Sequence, residues 1–539
     1  MNFRNRFAAL AGSAVVLAFA GACDPDLNVT NPNEPDVARA ISTPSDVRQL
    51  IGSSYNTWFL GMQGCYTGHC EPNPGMALEV MGDVATMAFG NFGARFNGQE
   101  PRLAYNNSSA AADGRVASDA YDSMYGALGA ANDGLKAIER GVRVATGNSA
   151  PDETPQFQAF AWLVQGMALG FQSQVFNEGF VVLEDTPDAT AVLEPYKAVA
   201  AAAVGSLDKA IAASSGQSWS IPVEFTPGIE LTAEKLGRMA NTMAARVLAY
   251  NARTAAENTA TDWAKVASYA DKGISTGAVP FNLEIQGDGG NTWFDLTKGY
   301  NNLESWMRVD PRIIQEADPT QPLVFTSTAA PARSIPADLR FSRGTPDPVT
   351  GNVRQEGADF WYNQNIPFPE ARGVYFFSNW SHARYVDHSY EVDAPFLTLV
   401  PYVLAAENDL LLAEALIRSG GDKNRAATLI NKTRVGRGGL SPATGAMSDN
   451  ELLGMIFYEY DVELWGTSAG IGWMQRRRID TNITYNGLPI GNIWGFRGGS
   501  NLQKGTPRSL PVPAKELETL GIPVYTFGGD SPNPVFPET

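Results

Sequence analysis

The sequence predicts a mainly α-helical fold in which helix pairs form a superhelix, beside an irregular, loop-rich half that carries short strands. The first observation is that apolar residues recur at steps of three and four along several segments between residues 157 and 464, which is typical of amphipathic helices. The second is that residues 280–395 are rich in Pro, Gly, Asn and aromatic residues and lack this period. Such composition indicates loops and short strands laid over a helical frame.

The first group of helices is predicted from apolar stripes and from residues that cap them. Residues 157–171 and 236–250 show the helical period most regularly, and Thr232 is placed to cap the second of these helices. The same period runs through residues 196–210 and 263–274. Small residues such as Ala and Gly occur where these helices would cross, which is how TPR-like helix pairs pack. A helical bundle without repeats is the alternative.

A second group of helices is predicted after residue 400. Residues 403–417 carry an apolar stripe, and a Gly-Gly pair ends the helix. The polar residues expected to face away from this stripe are Glu407, Glu414 and Arg418. A short helix follows to about Arg434, and Ser448 with Glu451 forms a capping-box pattern before another helix.

Residues 37–539 are predicted to form one large body. A chain of this length is usually divided into several domains, but here helices and long loops alternate along much of the sequence. We expect the TPR-like helices mainly in residues 118–278 and 400–465. The loop-rich half is expected mainly in residues 60–117, 280–395 and 487–539.

Residues 1–22 have the composition of an export signal. Arg4 and Arg6 precede an apolar run, and small side chains then lead to Cys23. A cysteine at this point is what a bacterial lipoprotein signal requires, because its thiol becomes diacylated and the acyl chains anchor the protein to a membrane. We therefore predict lipidation at Cys23 and an extended, acylated tether over residues 23–36. An ordinary secretory signal that leaves Cys23 as a free thiol is the alternative.

Composition and charge exclude several classes of function. The 539 residues carry a formal net charge of −17 and no basic run, so the surface repels nucleic acid and we expect no nucleic-acid partner. The fractions of 44% hydrophobic and 18% charged residues are those of a folded globular chain. No stretch after the signal approaches 18 apolar residues, so we expect no membrane-spanning helix.

The two remaining cysteines, Cys65 and Cys70, stand close together in "GCYTGHC". In an exported protein such a pair most simply forms a small disulfide-closed loop, and we predict that disulfide. The alternative is a zinc site that includes His69. Zinc usually takes four ligands, with a second Cys or His pair elsewhere, and the only other histidines are His382 and His388. We therefore predict no metal site here.

Motifs for catalysis are weak or absent, and we predict that the protein is not an enzyme. "GTSAG" around Ser468 fits the G-x-S-x-G pattern of a hydrolase elbow, but a capped helix precedes it in place of a strand. The base histidine should follow the serine, yet no histidine occurs after His388. A surface glycoside hydrolase would need two paired carboxylates, and nothing in the sequence marks such a pair.

Aromatic residues concentrated in the loops are the strongest indication of ligand binding. Exposed rings stack on the C–H faces of sugars, while neighbouring Asn, Asp and Arg bind hydroxyl groups. The alternative is that these rings pin the loops to the helical core. The candidate ligand-binding residues in these loops are Phe89, Asn91, Phe92, Arg95, Trp293, Tyr300, Trp306, Trp361 and Trp380.

Four stretches together resemble the SusD/RagB family of nutrient-binding outer-membrane lipoproteins. "ARAISTPSDVRQLIGSSYNTW" is similar to the family's opening helix, and "LLLAEALIRSGGDKNRAATLINKTRVGRGGL" to its AEA helix followed by an N-x-x-R helix. "YEYDVELWGTSAGIGWMQRRR" resembles the ELx…W…R segment, and "RSLPVPAKEL" the terminal P-I-P-x-x-E strand. The "ERR" usual before "EL" is "YEYDV" here, and the usual closing "QNPGY" is replaced.

The resemblance implies a SusD-like, TPR-like half that docks against a SusC-like TonB-dependent transporter and a loop-rich half that captures a glycan or a peptide at the cell surface. It also places Asp83, Phe89 and Asn91 and the loop from Trp293 to Trp306 near ligand-contacting segments. The protein would be lipid-anchored in the outer membrane, facing the exterior. A TPR-like envelope scaffold without a small ligand is the rival function. We expect no cofactor, and the sequence leaves open whether calcium orders the loops.

Overall fold

A computed structural model of the chain describes residues 42–64, 74–90, 93–111, 115–187, 192–277, 279–390, 392–479, 483–485, 488–489 and 502–529. The predicted lipidation site Cys23 and the predicted disulfide between Cys65 and Cys70 lie outside these residues and stay predictions. Within them, no helix combines the length and the apolar character needed to cross a membrane.

The N-terminal half of the structure is built from helices that pack on their neighbours in the chain. Their bounds are α1 Pro44–Gln63, α2 Pro74–Met81, α3 Ala94–Asn97, α4 Arg115–Glu139, α5 Thr154–Val175, α6 Tyr196–Ser214, α7 Ala233–Tyr250, α8 Ala255–Ala260 and α9 Trp263–Ala270. Helix α5 packs against both α4 and α6, and α6 packs against α7. This succession of packed helices confirms the mainly α, TPR-like prediction.

The remaining helices divide into two sets. Two short helices lie in the loop-rich half, α10 Leu296–Asn301 and α11 Pro311–Ala317. The C-terminal set is α12 Ala405–Arg418, α13 Lys423–Arg434, α14 Asp449–Glu463, α15 Ile471–Arg478 and α16 Ala514–Thr519. Helix α12 packs on α13, α14 and α9, so the C-terminal set continues the helical half.

Ten short strands are described, and several of their pairs join distant parts of the loop-rich half. They are β1 Ala85–Thr86, β2 Glu178–Phe180, β3 Leu193–Pro195, β4 Leu283–Gln286, β5 Arg308–Val309, β6 Phe360–Tyr362, β7 Trp380–His382, β8 Leu399–Val403, β9 Thr484–Tyr485 and β10 Leu488–Pro489. All described pairs are antiparallel and two-stranded: β1 with β5, β2 with β3, β4 with β8, β6 with β7 and β9 with β10. The prediction of short strands in the loop-rich half is confirmed.

Helix caps follow the sequence closely. The Thr232 hydroxyl accepts a hydrogen bond from the Lys235 amide at the start of α7. Ser448 and Glu451 form a full capping box at the start of α14. Each cap satisfies backbone donors that have no partner inside the helix, so these two predicted helix starts are confirmed.

The sequence-based prediction for residues 403–417 needs two corrections. Val403 belongs to β8, and the helix begins at Ala405, because the segment before it pairs with β4. Glu407 and Glu414 do not face solvent but are fully buried. Each forms an ion pair with an arginine of another helix, Arg246 for Glu407 and Arg478 for Glu414. In residues 263–274 the helix already ends at Ala270, with Ile274 buried just beyond it.

Helix crossings depend on glycine, as the small residues in the sequence predict. At Gly134 in α4, an added Cβ would lie 2.2 Å from Cγ1 of Ile51 in α1, whereas at Gly129 in the same helix it would meet open space. We expect Gly134→Ala to lower the free energy of unfolding by about 1–3 kcal/mol through overpacking. Gly129→Ala, the matched control, should raise it by up to about 1 kcal/mol because alanine favours the helix. Chemical denaturation checks both, and equal effects would contradict this reading of the crossing.

The C-terminal segment completes the core of the N-terminal helices. The Arg477 guanidinium in α15 donates to the carbonyl oxygens of Gln174 at 2.6 Å and Tyr250 at 2.7 Å, at the C-terminal ends of α5 and α7. The Leu510 amide donates to the Val175 carbonyl at 2.8 Å. A cation at the carbonyl end of a helix is favourable because unpaired carbonyl groups collect there. Segments more than 200 residues apart in the chain are thereby joined.

Candidate functional site

A row of aromatic rings crosses the surface of the loop-rich half. We define the aromatic row as Phe89, Trp306, Tyr300 and Tyr390. Successive ring centroids lie 5.4, 5.1 and 5.0 Å apart. The antiparallel pair of β1 and β5 brings the segment of Phe89 next to that of Trp306, and α10 carries Tyr300.

The two end rings of the row also pack on core residues, and all four rings are partly exposed. Phe89 also packs on buried Phe368 at 5.8 Å, and Tyr390 packs on buried Phe396 at 4.7 Å. Phe89, Tyr300 and Trp306 are half-buried, and Tyr390 is 45% exposed. Partly exposed rings that are held by their neighbours provide an apolar surface that loses little entropy on binding.

The helix that carries Tyr300 is anchored by a buried ion pair. Asp295 caps α10 by accepting from the Lys298 amide at 2.8 Å, and its second oxygen lies 2.7 Å from Lys298 Nζ. Lys298 Nζ also donates to the Thr467 carbonyl at 3.0 Å. At the other end of α10, the Asn301 amide donates to Glu79, and burial raises the pKa of Glu79 to about 8. Because every one of these groups is buried, α10 is held rigidly.

His388 connects the segment of Tyr390 to α10. Its Nε2 accepts a hydrogen bond from the Asp295 amide at 3.2 Å, and its Nδ1 lies 3.1 Å from the Thr398 hydroxyl. An Nε2 that accepts must be unprotonated. Burial lowers the pKa of His388 to about 4, with Asp295 partly offsetting the shift and Lys298 adding to it.

This contact predicts a defined pH dependence of stability. The unfolded chain protonates His388 near pH 6.5, whereas the folded chain keeps it neutral down to about pH 4. Between these values the unfolded state binds more protons, so stability falls as pH is lowered. Between pH 7 and pH 4.5, we expect the free energy of unfolding of His388→Gln to fall by about 2 kcal/mol less than that of the wild type. Denaturation curves at several pH values measure this difference, and equal losses would contradict it.

Arginines and a carboxylate flank the row. The Arg372 guanidinium lies 5.5 Å from the Phe89 ring centroid and donates to the Ala88 carbonyl. Glu304, two residues before Trp306 in the chain, accepts two bonds from Arg354, at 2.8 and 3.1 Å, and the Arg354 guanidinium lies 5.7 Å from the Trp361 ring centroid. Polar groups fixed beside ring faces are what orients a hydroxyl-rich ligand.

The predicted candidates divide between this surface and the core. Phe89, Tyr300 and Trp306 belong to the row. Trp361 is half-buried and contacts Arg354, which bonds to Glu304, but it has no described ring contact with the row. Arg95 is half-buried close by, with its amide donating to the Phe89 carbonyl at 3.1 Å. Asn91 and Phe92 lie outside the described residues.

Two aromatic candidates are core residues in the structure. Trp293 is 7% exposed and packs against Tyr55 and Phe59 of α1, and Trp380 is 3% exposed within β7, where it pairs with Tyr362 of β6. Their ring faces are therefore covered by protein and do not form part of a ligand surface.

Asp83 is buried in a charge network. It pairs with Arg102 and accepts from the Gln503 amide at 2.8 Å. Burial raises the pKa of Asp83, but Arg102 and Arg312 outweigh it, so the net pKa is lowered. Its backbone adopts a φ of 56°, which few non-glycine residues adopt. These contacts assign Asp83 to the support of the loops.

One ring of the row and one buried ring that supports it were not predicted from the sequence. Tyr390 and Phe368 lie in the loop-rich region, but neither is in a motif that separates it from the other loop aromatics. Only the ring contacts to Tyr300 and Phe89 identify them.

Ser468 is buried rather than presented to a substrate. Its hydroxyl donates to the Tyr402 carbonyl at 2.7 Å and accepts from Arg246 at 2.9 Å. A nucleophilic serine needs a general base within hydrogen-bond reach, and neither of these partners can act as one. In the described part of the chain, no group of three His, Cys, Asp or Glu side chains is arranged to hold a metal ion. A structural calcium ion stays an open expectation.

Similarity to solved structures identifies the fold. A SusD superfamily protein of Parabacteroides distasonis superimposes with a TM-score of 0.59 at 13% identity, covering 88% of this chain and 96% of its own. A SusD homolog of Bacteroides thetaiotaomicron gives 0.59 at 12% identity, covering 91% and 98%. The chain has the SusD fold. Surface glycan-binding protein A of Bacteroides uniformis gives 0.53 at 15% identity, covering 88% and 97%.

This SusD-fold chain is distant from these structures in sequence. No protein-family model matches it, and no curated protein matches it. The resemblance seen in the sequence is confirmed at the level of the fold.

Proposed function

We propose that this chain is a surface glycan-binding protein that takes up an oligosaccharide on the aromatic row. The observation that supports this proposal most is the run of four partly exposed rings, with 5.0 to 5.4 Å between neighbouring centroids. Sugar rings stack on aromatic faces through their C–H groups, and a row of such rings suits a chain of several sugars. We assign the binding of hydroxyl groups to Arg372, whose guanidinium lies 5.5 Å from the Phe89 ring centroid, and to the pair of Arg354 and Glu304.

The similarity in fold supports this proposal. One of the solved structures is named a surface glycan-binding protein, and another is named a SusD-like carbohydrate binding protein, from Bacteroides vulgatus. Because the identity of each to this chain is at most 15%, the argument for this chain depends on its own row of rings.

We further propose that the protein is lipid-anchored through Cys23 in the outer membrane and delivers its ligand to a TonB-dependent transporter. The export signal and the cysteine that follows it support the anchor. Delivery is supported by the SusD-like stretches of the sequence, because that resemblance implies docking against such a transporter.

Calorimetric titration of the purified mature protein tests the binding. The ligands are maltohexaose, cellohexaose, laminarihexaose, xylohexaose and mannohexaose, with a tryptic peptide mixture as the competing class. We expect saturable binding of at least one glycan and recovery of that glycan intact. Binding of peptides alone, of none of the ligands, or release of shorter sugars would overturn the proposal.

Purification from the envelope of its native cells tests the anchor and the partner. Mass spectrometry should find an acylated Cys23 and a TonB-dependent barrel in amounts comparable to the tagged protein. An acyl-free protein without a barrel would contradict this part of the proposal and leave glycan binding intact.

A further inference from the structure

A second cleft lies on the loop-rich half, bounded by residues that the aromatic row does not use. Its volume is about 380 Å³, which falls in the range of small-molecule sites. It is lined by Met81, Phe96, Asn97, Leu103, Ala104, Tyr105, Asn106, Ala111 and Pro507. These side chains carry no formal charge, although the chain as a whole has a net charge of −17. The cleft therefore suits a neutral ligand.

Two apolar side chains form exposed walls of this cleft. Phe96 is 46% exposed and Leu103 is 50% exposed. Because exposed apolar surface is unfavourable in water, a ligand that covers the Phe96 ring would gain binding free energy. An accessible ring beside an aliphatic side chain matches a ligand that has an apolar ring face.

Two amides supply complementary polar groups. The Asn97 side chain donates to the Gly93 carbonyl at 3.0 Å, and its Oδ1 accepts from no described residue. The Asn106 Oδ1 accepts from the Ser108 amide at 3.1 Å, and its Nδ2 donates to no described residue. The cleft thus offers one acceptor and one donor, which a sugar hydroxyl pair satisfies because each hydroxyl both donates and accepts.

The walls are fixed by the rest of the fold. The Tyr105 amide donates to the Phe527 carbonyl at 2.9 Å, and Ala104 forms an antiparallel bridge with Gly528. The Asn107 side chain donates to the Val512 and Tyr525 carbonyls at 2.9 and 3.0 Å. A site held in place before binding loses little entropy when a ligand enters.

We propose that this cleft is a second carbohydrate site, which takes a single neutral sugar residue against Phe96. Asn97 accepts from one hydroxyl and Asn106 donates to another. The ligand class rests on the proposed function, but the site is separate from the row and binds on its own contacts.

Saturation-transfer NMR on the full mature protein tests the proposal. The probes are methyl α-D-glucopyranoside, methyl α-D-mannopyranoside and methyl β-D-galactopyranoside at millimolar concentration. We expect transfer to at least one probe and a decrease of about fivefold or more in Phe96→Leu, which keeps an apolar side chain but removes the ring. Asn106→Ala should decrease it similarly.

Trp306→Ala separates this cleft from the row. Transfer that persists in Trp306→Ala and falls in Phe96→Leu supports the cleft, even if no hexasaccharide binds the row. Transfer lost only in Trp306→Ala places the sugar on the row and overturns the proposal. Transfer unaffected by Phe96→Leu, or absent for all three probes, also overturns it.

Discussion

Glu414→Ala is expected to lower the free energy of unfolding by about 3–5 kcal/mol, because it leaves buried cations without their carboxylate. Both Glu414 oxygens accept from the Arg478 guanidinium at 2.8 Å, and one also accepts from Arg418 Nε at 2.7 Å. The Tyr460 hydroxyl donates to the same carboxylate at 3.1 Å. Urea denaturation followed by circular dichroism measures the loss.

Glu234→Ala is the matched control for this variant. Glu234 pairs with Arg238 four residues later, as Glu414 does with Arg418, but Glu234 is 71% exposed. Such a surface pair contributes about 0.5 kcal/mol or less. A loss for Glu414→Ala as small as that of the control would contradict the role assigned to the buried cluster.

The same carboxylate predicts sensitivity to acid. Burial raises the pKa of Glu414, but Arg478 and Arg418 outweigh this effect and lower the pKa to about 2. The stabilisation is therefore present above the unfolded pKa near 4.3 and is lost as pH falls from there toward 2. Glu414→Gln should flatten this part of the stability curve.

Trp306→Ala is expected to weaken binding of the best hexasaccharide by at least about tenfold, equivalent to about 1.4 kcal/mol. Trp306 contacts both Phe89 and Tyr300, so its removal opens a gap in the middle of the row. The loss of one stacking surface alone accounts for an effect of this size. Calorimetric titration measures the affinity, and the melting temperature checks the fold.

Trp219→Ala is the control for the tryptophan variant. Trp219 is also half-buried but lies before α7 in the helical half, outside the row. It should leave glycan affinity within about twofold of the wild type. If Trp306→Ala retains full affinity, the row is not the binding surface.

Local periodicity and capping were sufficient to predict α5, α6, α7 and α14 from the sequence. The same signals did not predict the burial of Glu407 and Glu414. An apolar stripe indicates that polar residues lie on the opposite face of the helix, but it does not show which residues cover that face. The covering groups are Arg246 and Arg478, far away in the chain. A sequence pattern within one helix contains no information on such partners.

The aromatic loops show the same limit at the binding site. Trp293 and Trp306 stand in one stretch of similar composition, yet the first is covered by Tyr55 and Phe59 and the second lies in the row. Composition predicts that some loop aromatics reach the surface. The aromatic residues that reach the surface are decided by tertiary contacts, such as the packing of α1 on Trp293 and the contact between Tyr300 and Tyr390.

The bonds of Arg477 to the ends of α5 and α7 bear on how the chain folds during its synthesis. When residues 1–250 have left the ribosome, Arg477, which bonds to those carbonyl groups, has not yet been synthesised. The same holds for Leu510, which bonds to Val175. The early helices therefore remain incomplete during synthesis, and contacts of such sequence separation form slowly. A chain that completes its fold only after its last residues are made would stay unfolded long enough for the export that we propose.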